Sequence, residues 1–300
     1  EAEIEKEKLN VDMYALNSRV NDLYFGILLL DEQLKQNALL QDELERNYRQ
    51  ITAYVENGIA NQADLDAVKV EQLNTKQKRV ELVSSRMAYL KMLSLLVGEK
   101  LSQETVLEKP VPQDDISAVG EIRRPELSLF NAQEVGLQVQ EKALNVRHLP
   151  QFGLFVQGAY GNPGLNMLKN EFSPYYIAGV RLSWNFGSLY TLKNDRKVIE
   201  NKRRQLDNNR DVFLFNTRLE MTQQDQAIQS LEKQMQDDDE IIRLRTNIRK
   251  SAEAKVANGT LTVTEMLREL TNESLARQSK ALHEIQRLMG IYQLKYTTND

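Results

Sequence analysis

Apolar residues recur at alternating spacings of four and three residues from Leu9 to Val55. The spacing defines fourteen positions, these two residues included. Twelve of them are apolar, and Asn37 and Gln41 are the two exceptions. This spacing is typical of a coiled-coil seam, in which an occasional polar residue fixes the register. The pattern therefore predicts one long helix that continues to about Asn57.

The Asn57-Gly58 pair predicts the end of this helix, because a glycine just beyond a helix end adopts the left-handed conformation without strain. Asn61, followed three residues later by Asp64, is the candidate N-cap of a second helix, which Gly98 closes. We therefore expect the first two helices to form an antiparallel helical hairpin.

The chain changes character between residues 99 and 124, where polar residues and prolines interrupt the helical pattern. We expect this stretch to cross between two halves of the chain, because it contains Pro110, Pro112, Asp114 and Asp115. A third helix is predicted from about residue 124 to Arg147, and a fourth from near Lys193 to Ala257.

The sequence around the first glycine turn recurs later in the chain. The sequence Ala-x-Val-x-Asn-Gly occurs at residues 53–58. It occurs again 201 positions later, at residues 254–259. An acidic residue, Asp64 or Glu265, follows each glycine by six positions, and Thr262 with Glu265 fits a capping box that starts a last helix. A duplicated helix–turn–helix unit is therefore predicted, in a mainly α fold of long antiparallel coiled-coil helical hairpins.

An alternating stretch at residues 150–187 is the exception to the helical pattern. Its apolar parity contains Phe152, Leu154, Val156, Tyr160, Tyr176, Val180, Leu182, Trp184 and Phe186. Small and polar residues and Arg181 occupy the other parity, so one long β-hairpin with a single apolar face is predicted. The alternation alone leaves two interpretations open: a hairpin packed on a helical domain, or strands of an outer-membrane barrel.

Composition and charge argue against several function classes. The 300 residues carry a formal charge of −4 and no cysteine, so neither nucleic-acid binding nor a Cys-ligated metal is indicated. His148 and His283 have no metal-ligand partner at helical spacing, and the three adjacent carboxylates at residues 237–239 would diverge around a helix as a solvated surface. We therefore expect neither an enzyme nor a metal or cofactor.

The ordered set of these features resembles the TolC-like outer-membrane efflux proteins. The residues that carry the resemblance are Arg124-Pro125-Glu126-Leu127, Pro150 with Gly158-Ala159-Tyr160-Gly161, Leu182-Ser183-Trp184-Asn185-Phe186-Gly187, and the two glycine turns. The resemblance implies a homotrimer in the Gram-negative outer membrane, whose chains give strands to a shared β-barrel while their helices form a periplasmic tunnel. It also implies a passive channel that works with a periplasmic adaptor and an inner-membrane pump.

The chain departs from this family at its start. The family's first repeat has its own β-hairpin ahead of the first long helix. Here the helical pattern already includes residue 1. We therefore expect a partial first repeat at residues 1–123 and a second repeat at residues 124–300. The alternative function is a soluble coiled-coil periplasmic adaptor, although adaptors normally carry one helical hairpin rather than two.

The resemblance also implies candidate functional residues. The two turns would dock the adaptor through Asn57, Gly58, Ile59, Ala60, Asn258, Gly259, Thr260 and Leu261. The gate candidates at the tunnel aperture are Asp64, Glu265 and Arg268, with a Glu265–Arg268 pair as a possible latch within or between chains. Asp64 and Glu265 fit equally well as plain helix caps. On the hairpin, the apolar parity would face lipid and Arg181 would face the lumen.

Overall fold

The protein is mainly α-helical, as the sequence predicts. The computed structural model describes residues 1–111, 121–168 and 170–299. Within these residues there are five helices and one antiparallel pair of strands, in the order α1 (Ala2–Glu56), α2 (Gln62–Val97), α3 (Pro125–Arg147), β1 (Gln151–Gly161), β2 (Ser173–Ser183), α4 (Ser188–Ala257) and α5 (Val263–Thr298).

The predicted crossing segment is described only in part. Pro112, Asp114 and Asp115 lie outside the described residues. Before them, the side chain of Arg86 holds the segment against α2, because its guanidinium donates to the carbonyl oxygens of Gln103 (2.8 Å) and Thr105 (2.7 Å). The same guanidinium pairs with Asp31 of α1, so a single buried arginine joins two helices and the segment after them.

The second strand ends earlier than the alternation predicts. Ser183 pairs with Gln151, the first residue of β1, and the residue before Gln151 is Pro150, which has no N–H to extend the ladder. Trp184 therefore leaves the strand, and its indole N–H donates to the carbonyl oxygen of His148 at 3.1 Å. The prediction that the strand continues to Phe186 is wrong for this reason.

Packing divides the chain into two compact units. One contains Glu1–Lys8 and Glu126–Leu214, and the other contains Leu9–Pro125 and Phe215–Asp300. This division follows internal contacts, whereas the predicted boundary at residues 123 and 124 follows the sequence repeat, so the two-repeat division stays a prediction.

The first unit contains the hairpin and is held together by contacts between α3 and the start of α4. The rings of Phe130 and Phe213 lie 5.9 Å apart between centroids. Arg203 forms an ion pair with Glu141 at 2.9 Å, and Arg196 donates to the side chain of Asn145 at 2.8 Å.

The second unit has an apolar core between its four helices. Beneath the two glycine turns, all four helices contribute buried residues, among them Ile51, Val68, Val256 and Met266. Farther from the first glycine turn along α1, Ile27 packs against Leu90 and Leu93 of α2. The α1 seam is therefore buried at its centre and end, but Leu9 and Met13 at its start are 60% and 58% exposed, contrary to the predicted continuous seam.

Asn37 interrupts the α1 seam as the spacing predicts. Its side chain is buried, and the amide nitrogen donates to the backbone carbonyl oxygen of Thr75 in α2 at 3.1 Å. A buried polar contact of this kind penalises any other axial register of the two helices, because a shift would leave the amide unsatisfied.

Candidate functional sites: the hairpin and the two glycine turns

The hairpin has one face formed by the predicted apolar residues. The strand register places Phe152 opposite Leu182, and Leu154 opposite Val180. Residues directly opposite in an antiparallel pair lie on the same face of the sheet. The side chains of this face are exposed over more than half of their surface, at Phe152, Leu154, Val156, Tyr160, Tyr176, Val180 and Leu182. The predicted grouping of these residues on one face is confirmed.

The opposite face of the hairpin is less polar than the alternation predicts. Arg181 lies on it as expected, opposite Gly153, but Phe155 and Ile177 lie on it as well. The guanidinium of Arg181 lies over the ring of Phe155, 5.4 Å from its centroid. The alternation does not predict this pairing, because it depends on which residues of the two strands are neighbours across the ladder.

The first glycine turn ends α1 with a closed hydrogen-bond pattern. Gly58 has φ +72°, and its N–H donates to the carbonyl oxygen of Val55 at 3.1 Å. The N–H of Ile59 reaches back to the carbonyl oxygen of Tyr54 at 2.8 Å. These two bonds form a Schellman motif, which only glycine enters without strain. The predicted left-handed glycine at the helix end is confirmed.

The second glycine turn repeats this geometry at the end of α4. Gly259 has φ +69° and donates to Val256 at 2.9 Å, and Thr260 donates to Lys255 at 2.9 Å. The side-chain amide of Asn258 caps the carbonyl of Ala254, as that of Asn57 caps the carbonyl of Ala53. The duplication predicted from the sequence is thus present in the backbone of both turns.

Both gate candidates with carboxylates serve as helix caps. Asn61 with Asp64, and Thr262 with Glu265, form complete capping boxes at the starts of α2 and α5. Hydrogen bonds from the hydroxyl and then the backbone N–H of Thr262 lower the pKa of Glu265, with a smaller contribution from the charge of Arg268. The ion pair formed by Arg268 within the chain is with Glu269, at 3.5 Å.

The predicted docking residues differ in how far they reach solvent. Asn57, Gly58 and Ile59 are exposed, and Ile59 shows 52% of its surface. Ala60 and Leu261 are partly buried against the apolar cluster of the four helices. Ile59 is therefore the apolar side chain that the turns offer to a partner, whereas Leu261 supports the turn from inside.

A buried ionic cluster joins three helices and is absent from the sequence-based predictions. The carboxylate of Glu273 in α5 accepts hydrogen bonds from Arg277 (2.6 Å), Thr246 (2.8 Å) and Arg249 of α4. Arg249 also pairs with Glu253 and, at 3.4 Å, with Glu43 of α1. The spacing of four between Arg249 and Glu253, and between Glu273 and Arg277, is a signal that could have indicated it.

The three adjacent carboxylates at residues 237–239 are not a uniformly solvated surface. Asp238 is buried and lies 2.9 Å from Nδ1 of His283, while Asp239 pairs with Lys280. The prediction of a solvated surface is therefore wrong for Asp238, because it faces α5. In residues 1–111, 121–168 and 170–299, no three side chains with metal-ligating groups are placed to share an ion. Across the same residues, no helix has the length and apolar character needed to cross a membrane.

Comparison with known proteins bears on the fold. No protein-family model and no curated protein matches the sequence. The outer membrane protein VceC from Vibrio cholerae has a TM-score of 0.76 at 14% identity, over 99% of this chain and 71% of that chain. CusC, described in connection with folding and transmembrane channel formation, has a TM-score of 0.76 at 16% identity, over 99% and 72%.

The open-state MtrE outer membrane channel of Neisseria gonorrhoeae also matches, with a TM-score of 0.71 at 11% identity, over 98% of this chain and 68% of that chain. This chain has the fold of the TolC-like outer-membrane channels. The resemblance expected from the sequence is therefore confirmed for nearly the whole described length. At 11–16% identity it is a likeness of fold, and the activity has to be argued from the residues of this chain.

Proposed function

We propose that this chain belongs to a passive outer-membrane channel of a Gram-negative export system. The observation that supports this proposal is the exposed apolar face of the hairpin, where Leu154 and Val156 show 87% and 78% of their surface. An isolated two-stranded hairpin is only marginally stable in water, and exposed apolar side chains lower its stability further. Strands of 11 residues match the length that a tilted strand needs to cross a bilayer.

In the described residues β1 and β2 pair only with each other, and their two open edges support an oligomer, which we propose to be a homotrimer. In hydrocarbon every backbone N–H and C=O group needs a partner, so strands cross a membrane only within a closed barrel. Further strands must therefore pair with the outer edges of β1 and β2 once the hairpin is in lipid. We assign strands that pair with these edges to the other chains of the trimer.

The experiment compares arginine substitutions at neighbouring residues on opposite faces of the full-length protein. Val156→Arg places a charge on the proposed lipid face near the middle of β1, at a cost of about 2–4 kcal/mol at the bilayer midplane. Gln157→Arg is the matched control on the other face. We expect Val156→Arg to lose outer-membrane assembly and bilayer conductance, and Gln157→Arg to retain both.

Two results would contradict the channel. Equal assembly of the two variants would mean that the apolar face does not contact lipid. A full-length protein that stays soluble without detergent and gives no conductance would favour the alternative, a soluble periplasmic adaptor or scaffold protein.

We propose further that the two glycine turns dock a periplasmic adaptor, which links the channel to an inner-membrane transporter. The docking residues are Asn57, Gly58, Ile59, Ala60, Asn258, Gly259, Thr260 and Leu261. The rigid Schellman geometry supports this assignment, because a partner meets preordered backbone and loses little entropy on binding. Exposed Ile59 supplies an apolar anchor, of the kind that carries much of the energy in protein interfaces.

A site-specific photo-crosslinker tests the docking assignment. At Ile59 we expect it to capture the purified adaptor of the same export system. Leu95, 85% exposed near the other end of α2, is the control position and should give no adduct. Equal capture at both positions, or capture at Leu95 alone, would refute docking at the turns.

A further inference from the structure

Arg181 is the only charged residue in the two strands of the hairpin. Residues 151–161 and 173–183 contain no other Lys or Arg and no Asp or Glu. Arg181 lies on the face opposite the apolar one, paired across the ladder with Gly153. On the strands that the proposed function places in the bilayer, the whole charge is therefore concentrated at one position of the non-lipid face.

Phe155 positions this charge. The Arg181 guanidinium lies 5.4 Å from the centroid of the Phe155 ring, and Phe155 is half-buried while its neighbours in β1 are exposed. A guanidinium over an aromatic ring contacts the ring through its own planar face. Its N–H groups lie in the guanidinium plane and remain able to bind an anion. The ring therefore orients the cation without consuming its hydrogen-bond donors.

The glycine at position 179 makes room for this arrangement. Gly179 pairs with Phe155 across the ladder, and a Cβ on Gly179 would lie 2.9 Å from two carbon atoms of the ring. Any other residue there would force the ring of Phe155 to shift. Gly153, opposite Arg181, likewise adds no side chain beside the guanidinium. The Phe155 ring and the Arg181 guanidinium, each opposite a glycine, thus form one group on the non-lipid face, which we call the Phe155–Arg181 plate.

We propose that the Phe155–Arg181 plate is an anion-binding element that sets the ion selectivity of the channel. This inference rests on the proposed function, since it places the non-lipid face toward the lumen. In a homotrimer three copies of the plate surround one passage, and like charges facing a confined passage concentrate anions and repel cations. Carboxylates and chloride are the class of ligand, because a guanidinium binds a carboxylate through a planar pair of N–H groups and chloride through its positive charge.

The first test measures the reversal potential of the full-length channel in a potassium chloride gradient across a planar bilayer. We expect Arg181→Gln to lower the ratio of chloride to potassium permeability by about twofold or more. Arg181→Lys, which keeps the charge, should retain most of the ratio. Phe155→Leu, which keeps the arginine but removes the ring that orients it, should lower the ratio by less than Arg181→Gln does.

A second test works on the assembled channel and does not depend on how Arg181→Gln folds. The chain contains no cysteine, so Arg181→Cys is a unique thiol in it. Labelling this thiol after reconstitution with a cationic methanethiosulfonate should raise the chloride preference, and labelling with an anionic one should lower it. The sign of the shift must follow the sign of the attached charge.

The outcomes separate this inference from the function on which it rests. If the wild-type protein does not conduct ions, both the proposed channel function and the proposed selectivity element are refuted. A conducting channel whose permeability ratio is the same in Arg181→Gln, or in the two labelled forms of Arg181→Cys, would overturn the anion-binding element alone.

Discussion

At the scale of single residues, Glu273 shows how burial and hydrogen bonding compete. Burial alone would raise the pKa of its carboxyl group, but hydrogen bonds from Arg277, Thr246 and Arg249 outweigh burial and lower the pKa below its ordinary value. Burial lowers the pKa of Arg249, but its hydrogen bond with Glu273 and the charges of Glu253, Glu43 and Glu273 outweigh burial and raise the pKa. The charged forms of both groups are therefore favoured by folding.

This cluster predicts a pH-dependent contribution to stability. A lowered carboxyl pKa stabilises the folded state fully above the ordinary glutamate pKa of about 4.3, and the contribution disappears as pH falls through the lowered value. At pH 7, Glu273→Gln should reduce the free energy of unfolding by about 1–3 kcal/mol, because Arg249 and Arg277 lose a charged acceptor. Chemical denaturation should show the difference from wild type shrinking toward pH 3.

Glu240→Gln is the matched control for this prediction. Glu240 forms an exposed pair with Arg243 at 2.5 Å on the same helix, and exposed pairs contribute little. The control should unfold like wild type at pH 7. A loss in Glu273→Gln that is the same at pH 7 and pH 3 would show that the side chain acts through its shape and not through its charge.

At the scale of elements, the sequence predicts best what local chemistry decides. The Asn-Gly pairs at residues 57–58 and 258–259 and the capping boxes after them depend on a few neighbouring residues, so the ends of α1 and α4 and the starts of α2 and α5 are predicted to within a residue or two. The start of α4 is predicted less well, near Lys193, whereas the helix begins at Ser188. Asn37 was also predicted as a polar position in the seam, because the spacing of apolar residues alone identifies it.

The sequence predicts poorly what depends on a distant partner. Where β2 ends is decided by Pro150 at the start of the other strand, and the stacking of Phe155 with Arg181 by the register between the strands. The burial of Asp238 is decided by His283, 45 residues away on a packed helix. Periodicity gives the face of an element, but the residue that meets that face comes from tertiary packing.

At the scale of the whole molecule, the fold is shared with outer-membrane channels over 98–99% of the chain at 11–16% sequence identity, so a gate has to be argued from the contacts of this chain. The second glycine turn provides such contacts. Glu265 caps α5, and Arg268 pairs with Glu269 in the same chain. The direct ion pair of Arg268 within the chain is thus with Glu269, so we place the latch between Arg268 and Glu265 of a neighbouring chain in the proposed trimer.

We predict that such a contact between chains helps to keep the tunnel aperture closed, with Asp64 as the corresponding carboxylate of the first turn. Glu265→Gln removes the charge yet keeps the cap, because glutamine serves in a capping box as glutamate does. In single-channel recordings of the full-length protein, this variant should increase the open probability about two- to fivefold, the size expected of an exposed ion pair. If the pair acts between chains, Arg268→Gln should open the channel to a similar extent, and the double variant should add nothing to either single one. Additive effects, or an open probability equal to that of wild type in Glu265→Gln, would leave Glu265 as a helix cap and Arg268 as the partner of Glu269.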